Sequence, residues 1–226
     1  MPPGRTPTNL CSKGFCHNVP EQRLTATIHA STADIPAALW NGLLPQTNGV
    51  TDNPFIDHAF FLALEQSHSA TAATGWQPQH IELQRDGETV GLMPLFLKSH
   101  SQGEYVFDYG WADAFERAGG HYYPKLQCAV PFTPASSPKL IVPSGELELQ
   151  TALLSTAEEL ASRRGASSVH ATFLSAEEQA IGENAGWMVR HDTQFHWHNH
   201  GFSSYDAFLD TLASRKRKVL RRERRE

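Results

Sequence analysis

The sequence predicts an α+β fold built on a mixed sheet. Three observations carry that prediction. Strand-like and helix-like segments alternate along residues 24–200 instead of falling into separate blocks. Two strand-like runs meet at Asp86–Gly87, a dipeptide that favours the left-handed turn of a β-hairpin. The stretch 146–165 has helical periodicity throughout and stops at Gly165, a C-cap residue.

In order, LTATIH (24–29) has strand chemistry. ADIPAALWNGLL (33–44) reads as a short helix with Asp34 at its cap and Pro36 in its first turn. DNPFIDHAFFLALEQS (52–67) is a stronger helix, capped by Asn53 with Pro54 at the first helical position. HIELQRDGETVGLMPLFL (80–97) is the hairpin, and Gly91 in its second arm suggests a bulge. EYVFDY (104–109) reads as a further strand, and 110–143 as an irregular insert rich in Gly, Pro and aromatics. After the 146–165 helix come a strand in SSVHATF (167–173), a helix at 176–186, and two strands in WMVRH and QFHWHN. From Gly201 a new helix begins with Ser203 or Ser204 at its cap. Its apolar stripe is Tyr205, Phe208, Leu209, Leu212, Val219 and Leu220.

A chain of 226 residues can bury a sizeable core. No apolar run is long enough to span a bilayer. Residues 1–23 lack the apolar stretch of a secretory signal and are polar and Pro/Gly-rich, so a disordered leader is expected there. Three cysteines without CxxC spacing argue against a disulfide framework and for a reducing cytoplasm. Charge is unevenly placed. Residues 213–226 hold eight bases and two acids (+6), and the remaining 212 hold eleven bases and twenty-two acids (−11). The whole is therefore an acidic body with a basic helix, which does not support non-specific nucleic-acid binding by the whole protein, and no stable DNA binding is expected.

GWQPQHIEL (75–83), the stretch 97–134, QFHWHNHGFSSYDAFLDTL (194–212) and SRKRKVLRRERRE (214–226) resemble the FemAB-like N-acyltransferases, as does NPFIDHAFFLALE (53–65). These are bacterial proteins of GNAT-type fold related to the Fem transferases of peptidoglycan precursors, and the element order above agrees with that fold. The resemblance implies transfer of an acyl or aminoacyl group to an amine, on a small-molecule or cell-wall precursor. Acyl-CoA and aminoacyl-tRNA are the donors it suggests. It also implies two GNAT-like halves joined by a helical bridge. The chain then reads as a GNAT-like domain (24–200) followed by a basic bridging helix (201–226), with the C-terminal half missing. No cofactor is expected in the present half. A GNAT loop that holds CoA presents glycine amides, whereas PFTPASSPKLIVPSGEL offers prolines and only Gly145. The competing functional class is a non-catalytic module that recognises an anionic precursor or a protein partner.

Candidate site residues cluster in two places. Glu104 and Asp108 share a face by period two, and with His100 they could accept a proton from an amine. The alternative is that the acids satisfy loop amides. Ser99, Tyr122, Tyr123 and Lys125 are substrate-positioning candidates, against a plain packed loop. On the basic helix, Arg217 and Lys218 could contact phosphate, or the helix could weakly touch anionic lipid or RNA from the inner face of the membrane. The alternative is a face whose charges pair with acids elsewhere. His196, His198 and His200 alternate on one side of a strand-like run. Only His196 matches the family pattern, so no metal site is assigned.

Overall fold

The computed structural model describes residues 23–225, so the expected leader, with Cys11 and Cys16, lies outside the described residues. The chain divides into two units, one running to Val189 and one from Arg190 onward. In the first unit the elements are β1 (Leu24–His29), α1 (Ala37–Gly42), β2 (Gln46–Thr47), β3 (Val50–Thr51), α2 (His58–Gln66), β4 (Trp76–Pro78), β5 (His80–Arg85), β6 (Glu88–Met93), β7 (Leu95–Lys98), α3 (Tyr109–Arg117), β8 (Lys125–Cys128), α4 (Leu147–Arg164), β9 (Val169–Ala171) and α5 (Ala176–Asn184).

The predicted mixed α+β character holds, but the strands form more than one sheet. β1, β5 and β6 pair antiparallel, and β4, β7, β8 and β9 form a second sheet whose one parallel pair is β8–β9. β2 and β3 make a small ribbon. The division has a physical cause in Pro94. It has no N–H to donate and separates β6 from β7. A bond from Gln79 N–H to Leu95 C=O, 2.8 Å, carries the contact across the kink.

The hairpin turn sits where expected. Asp86 and Gly87 have φ of 52° and 90°, the pair of left-handed conformations a two-residue turn of this kind requires. The bulge falls at Val90, beside Gly91: Leu83 faces Gly91 while Gln84 faces Thr89. At Gly91 a Cβ would lie 3.3 Å from Val142 Cγ1, so the glycine also admits a closely packed neighbour.

One apolar cluster joins Ile81, Leu83, Met93, Leu95 and Leu126 of the sheets to Leu149, Leu153, Leu154 and Ala157 of α4. Another gathers Trp40, Ile56, Phe61, Trp76, Leu92, Phe96 and Val130 under α1 and α2. Beside the second cluster, Glu65 accepts hydrogen bonds from Thr32 N–H (2.9 Å) and Ser31 Oγ (2.6 Å), and faces His80 at 3.4 Å. Burial alone would raise the Glu65 pKa, but the bonds from His80, Ser31 and Thr32 outweigh it and hold the carboxyl at about 2 instead of 4.5. That difference is worth on the order of 3 kcal/mol, present above the ordinary carboxylate range and lost as pH falls toward 2. Glu65→Gln should therefore lower stability at neutral pH, with the gap to the parent closing on acidification. Urea unfolding at several pH values checks this, and a pH-independent gap would contradict it.

Several local expectations change. The 33–44 helix is a 3₁₀ turn capped by Ser31, with Asp34 at its third position, followed by α1 with Pro36 as its N-cap. The 52–67 helix likewise divides: Asn53 caps a 3₁₀ turn, and Asp57 caps α2 through Ala59 N–H at 2.8 Å. EYVFDY is not a strand. Gly103 and Tyr105 have φ of 79° and 59°, which turn the chain and prevent an extended ladder. The supposedly irregular insert contains α3 and β8. WMVRH and QFHWHN are irregular, with Met188 and Phe195 exposed at 98% and 95%. Strand-like side chains make a strand only where a neighbour completes the ladder, and among the described residues no ladder includes 187–200.

The second unit contains α6 (Tyr205–Asp210) and α7 (Ser214–Glu223), so the single predicted helix is broken at 211–213. Ser204 caps α6 through Ala207 N–H at 3.1 Å. Arg217 pairs with Asp210 at 3.0 Å, Arg221 approaches Asp206 at 3.6 Å, and the Arg224 guanidinium lies 4.4 Å from the Tyr205 ring centre. Part of the basic charge is thus matched by α6.

Candidate functional site

The site grows from one end of the four-stranded sheet. β7 and β8 pair so that Lys98 lies opposite Lys125, and both side chains are fully buried. Two ammonium groups side by side in the interior need anions. The turn at Gly103–Tyr105 delivers them. Lys125 Nζ donates to Glu104 Oε2 at 2.7 Å, to Asp108 Oδ2, and to Gln127 Oε1 at 3.1 Å. Lys98 Nζ lies 3.8 Å from Glu104 Oε1, donates to Gln102 C=O at 3.2 Å and stands 3.4 Å from the centre of the Trp76 ring.

Burial shapes the electrostatics. It pulls the Lys98 pKa down to about 7, against the Glu104 charge and with help from Lys125. It raises Glu104, although both lysines oppose that. Asp108 goes the other way. Burial would raise it, but the hydrogen bond and charge of Lys125, then His170 and Tyr122, hold it below the usual carboxylate range. Tyr122 is pushed up by burial and by Asp108, which accepts a hydrogen bond from its hydroxyl. Asp108 is therefore a dry, ionised carboxylate.

The open edge of this cluster is β9. Its parallel pairing sets Gln127 beside His170. His170 Nδ1 lies 3.7 Å from Asp108 Oδ2, with the His170 side chain 30% exposed and that of Asp108 1%. His170 Nε2 is 2.9 Å from Ser168 Oγ.

Of the sequence candidates, Glu104, Asp108, Tyr122 and Lys125 are brought together. Lys125, expected to hold substrate, has its ammonium turned inward on Glu104, Asp108 and Gln127. Tyr123 is half-buried beside Tyr122, with its hydroxyl on Ser101. Ser99 is exposed, one residue beyond Lys98. His100 does not join the acids. Its ring rests on Gly75, where a Cβ would come within 2.4 Å of Nε2, and its Nδ1 accepts from Gln102 N–H at 3.2 Å. It lines a separate hollow of about 500 Å³ with Trp76, Gln102 and Phe132. In the second unit, Arg217 is engaged by Asp210, whereas the Lys218 side chain makes no ion pair or hydrogen bond with a described residue. His196 and His198 stack at 6.3 Å, and among the described residues no three metal-ligating side chains converge. Sequence reading missed Ser168, His170 and the role of Lys98.

A family model described as peptidoglycan biosynthesis/recognition, FemAB-like, matches residues 31–226. The chain belongs to the FemAB-like family. No curated protein matches this FemAB-like chain. Solved structures similar to it include the aminoglycoside N-acetyltransferase AAC(6')-Iy in complex with CoA, at 13% identity and a TM-score of 0.47, covering 80% of this chain and 98% of that one. A Trypanosoma brucei acetyltransferase (16%, TM-score 0.41) covers 78% of this chain and 100% of its own. An Arabidopsis thaliana glucosamine-6-phosphate N-acetyltransferase (10%, TM-score 0.43) covers 79% and 100%.

The segment leading into α4 does not fit CoA. A pyrophosphate needs free amides and a positive helix start. Here Lys139 N–H and Leu140 N–H both donate to Glu178 Oε1, at 2.5 and 2.7 Å. Glu146 and Glu148 add negative charge at the start of α4. Calorimetry of the FemAB-like chain with acetyl-CoA should show no saturable binding in the micromolar range. A saturable isotherm abolished by altering this segment would overturn that expectation.

Proposed function

We propose that this chain takes part in N-acyl transfer, moving an acyl or aminoacyl group to an amine of a peptidoglycan precursor. Membership of the FemAB-like family supports the reaction class. The observation that carries the site is the pair of Asp108 and His170, 3.7 Å apart at the edge of a buried charge cluster.

An amine attacks a carbonyl only after losing its proton, and the attack then releases another. His170 is exposed enough to meet an incoming amine, and Asp108 stabilises the imidazolium that forms. Lys125 fixes Asp108 and keeps it ionised, while Glu104 shares the same ammonium. Tyr122 donates to the same carboxylate and limits its rotation. Tyr123, half-buried beside them, is the remaining wall for a substrate. Among the described residues no helix is long and apolar enough to cross a membrane. On the second unit, taken by itself, Lys218 is the proposed contact for a phosphate or an anionic headgroup.

The test is product formation. The chain is incubated with activated acyl esters, aminoacyl esters and acyl-CoA against a panel of amines that includes muropeptides, and N-acylated products are sought by mass spectrometry. An N-acyl product lost on His170→Gln supports the proposal. Absence of product across the whole panel refutes it for this chain.

A further inference from the structure

Ser168, His170 and Asp108 place a hydroxyl, an imidazole and a carboxylate in a row. Ser168 Oγ lies 2.9 Å from His170 Nε2, and His170 Nδ1 lies 3.7 Å from Asp108 Oδ2. Ser168 immediately precedes β9 and His170 lies within it, so a two-residue spacing sets both on one side of the extended chain. Asp108, held ionised, favours the proton of His170 on Nδ1. That leaves Nε2 as the acceptor facing the serine hydroxyl.

A Ser–His contact two residues apart on a strand is ordinary. The third member is not: a carboxylate 1% exposed, delivered from a turn sixty residues earlier in the chain and supported by buried Lys125. The neighbouring Ser167 Oγ donates to Tyr122 C=O and lies 3.3 Å from Ser168 Oγ, so it braces that hydroxyl from the other side. His170 keeps an exposed edge, so a reacting group can reach it from solvent. Nucleophile, base and orienting acid in this order are recognised by geometry on unrelated folds.

We propose that Ser168 is a nucleophile that forms a covalent acyl-serine with an activated carboxylic ester. Ser168 Oγ bonds to the ester carbonyl carbon while His170 Nε2 takes the hydroxyl proton. The tetrahedral intermediate expels the alcohol, which receives that proton from His170. An amine then attacks the acyl-serine, His170 removes its proton, and the C–O bond to Ser168 breaks with the proton returned to Oγ. Water in place of the amine gives hydrolysis. The final amine step rests on the acyl-transfer reading. The formation of acyl-serine does not.

The test uses the full chain with a fluorophosphonate probe, intact-mass measurement and peptide mapping. One adduct is expected, on the peptide holding Ser168. Ser168→Ala should abolish it with an unchanged unfolding midpoint, and His170→Gln should slow it by about 10²-fold or more. With p-nitrophenyl acetate, nitrophenol should appear in a burst of one equivalent per chain. No adduct where a serine esterase control is labelled, or an adduct confined to another residue, overturns the proposal. N-acyl product at an unchanged rate in Ser168→Ala also overturns it, while leaving the transfer reading intact. An adduct on Ser168 without any N-acyl product upholds the nucleophile and sinks the transfer reading.

Discussion

Lys125→Met is expected to destabilise the first unit by on the order of 3–5 kcal/mol, the cost of leaving buried charge uncompensated. The ammonium it removes is fully buried and touches Glu104 at 2.7 Å and Asp108 as well. Met keeps most of the volume, so the loss reports charge and not a cavity. What remains is two carboxylates at one dry site, with Lys98 at 3.8 Å from Glu104 and His170 at 3.7 Å from Asp108. Lys98 compensates poorly because burial has already brought its pKa down to about 7. Acid should relieve the variant, because protonating either carboxyl removes the repulsion. Adding Glu104→Gln and Asp108→Asn should recover much of the lost stability, since the buried group then carries no unpaired ion. Urea unfolding at neutral and mildly acidic pH measures both effects. A single variant as stable as the parent at neutral pH would show that solvent already screens the cluster.

The parts of this fold legible in the sequence are those with local causes. Asp86–Gly87 was readable because the turn needs left-handed backbone from two adjacent residues, and these two residue types tolerate it. The α4 helix was readable because its buried positions, Leu149, Leu153, Leu154, Ala157 and Leu160, recur with helical period and Gly165 stops it. Residues 187–200 misled because strand propensity states what fits a ladder and not whether a ladder is there. α3 was hidden by its glycine and aromatics. Its signal was the Asp113–Arg117 pair, four residues apart and 2.9 Å in the structure.

The site shows the same limit more sharply. In sequence, Glu104 and Asp108 pair for a strand-like reason, a shared face by period two. They do converge, but through a bend and onto Lys125, seventeen residues after Asp108. His100 is close to them in sequence, yet its ring turns to Gly75. His170 carries no local signal at all. One histidine in SSVHATF looks like any strand residue, and only the parallel pairing of β8 with β9 brings it beside Asp108. Long-range pairing is what a periodicity argument leaves out.

Asp108→Asn should lower turnover of the acyl transfer by roughly 10²–10⁴-fold, the span typical of positioned acid–base groups. The fold should survive this change better than Lys125→Met. Lys125 keeps Glu104 and Gln127 as partners, so the remaining ammonium and carboxylate still balance. What is lost is the negative charge facing His170. Without it the imidazolium formed during proton transfer has no counter-charge, and the tautomer that presents Nε2 to Ser168 is no longer favoured. The defect should lie in kcat with KM little changed, because the charge acts only as the proton moves. Fluorophosphonate labelling of Ser168 should slow in parallel, and Asp108→Glu should restore part of both rates by returning the carboxylate. A purely structural Asp108 predicts otherwise: lost stability tracked by lost activity, and no selective rescue by glutamate. A folded Asp108→Asn variant with unchanged turnover and labelling would assign Asp108 to holding Lys125 and remove it from the chemistry.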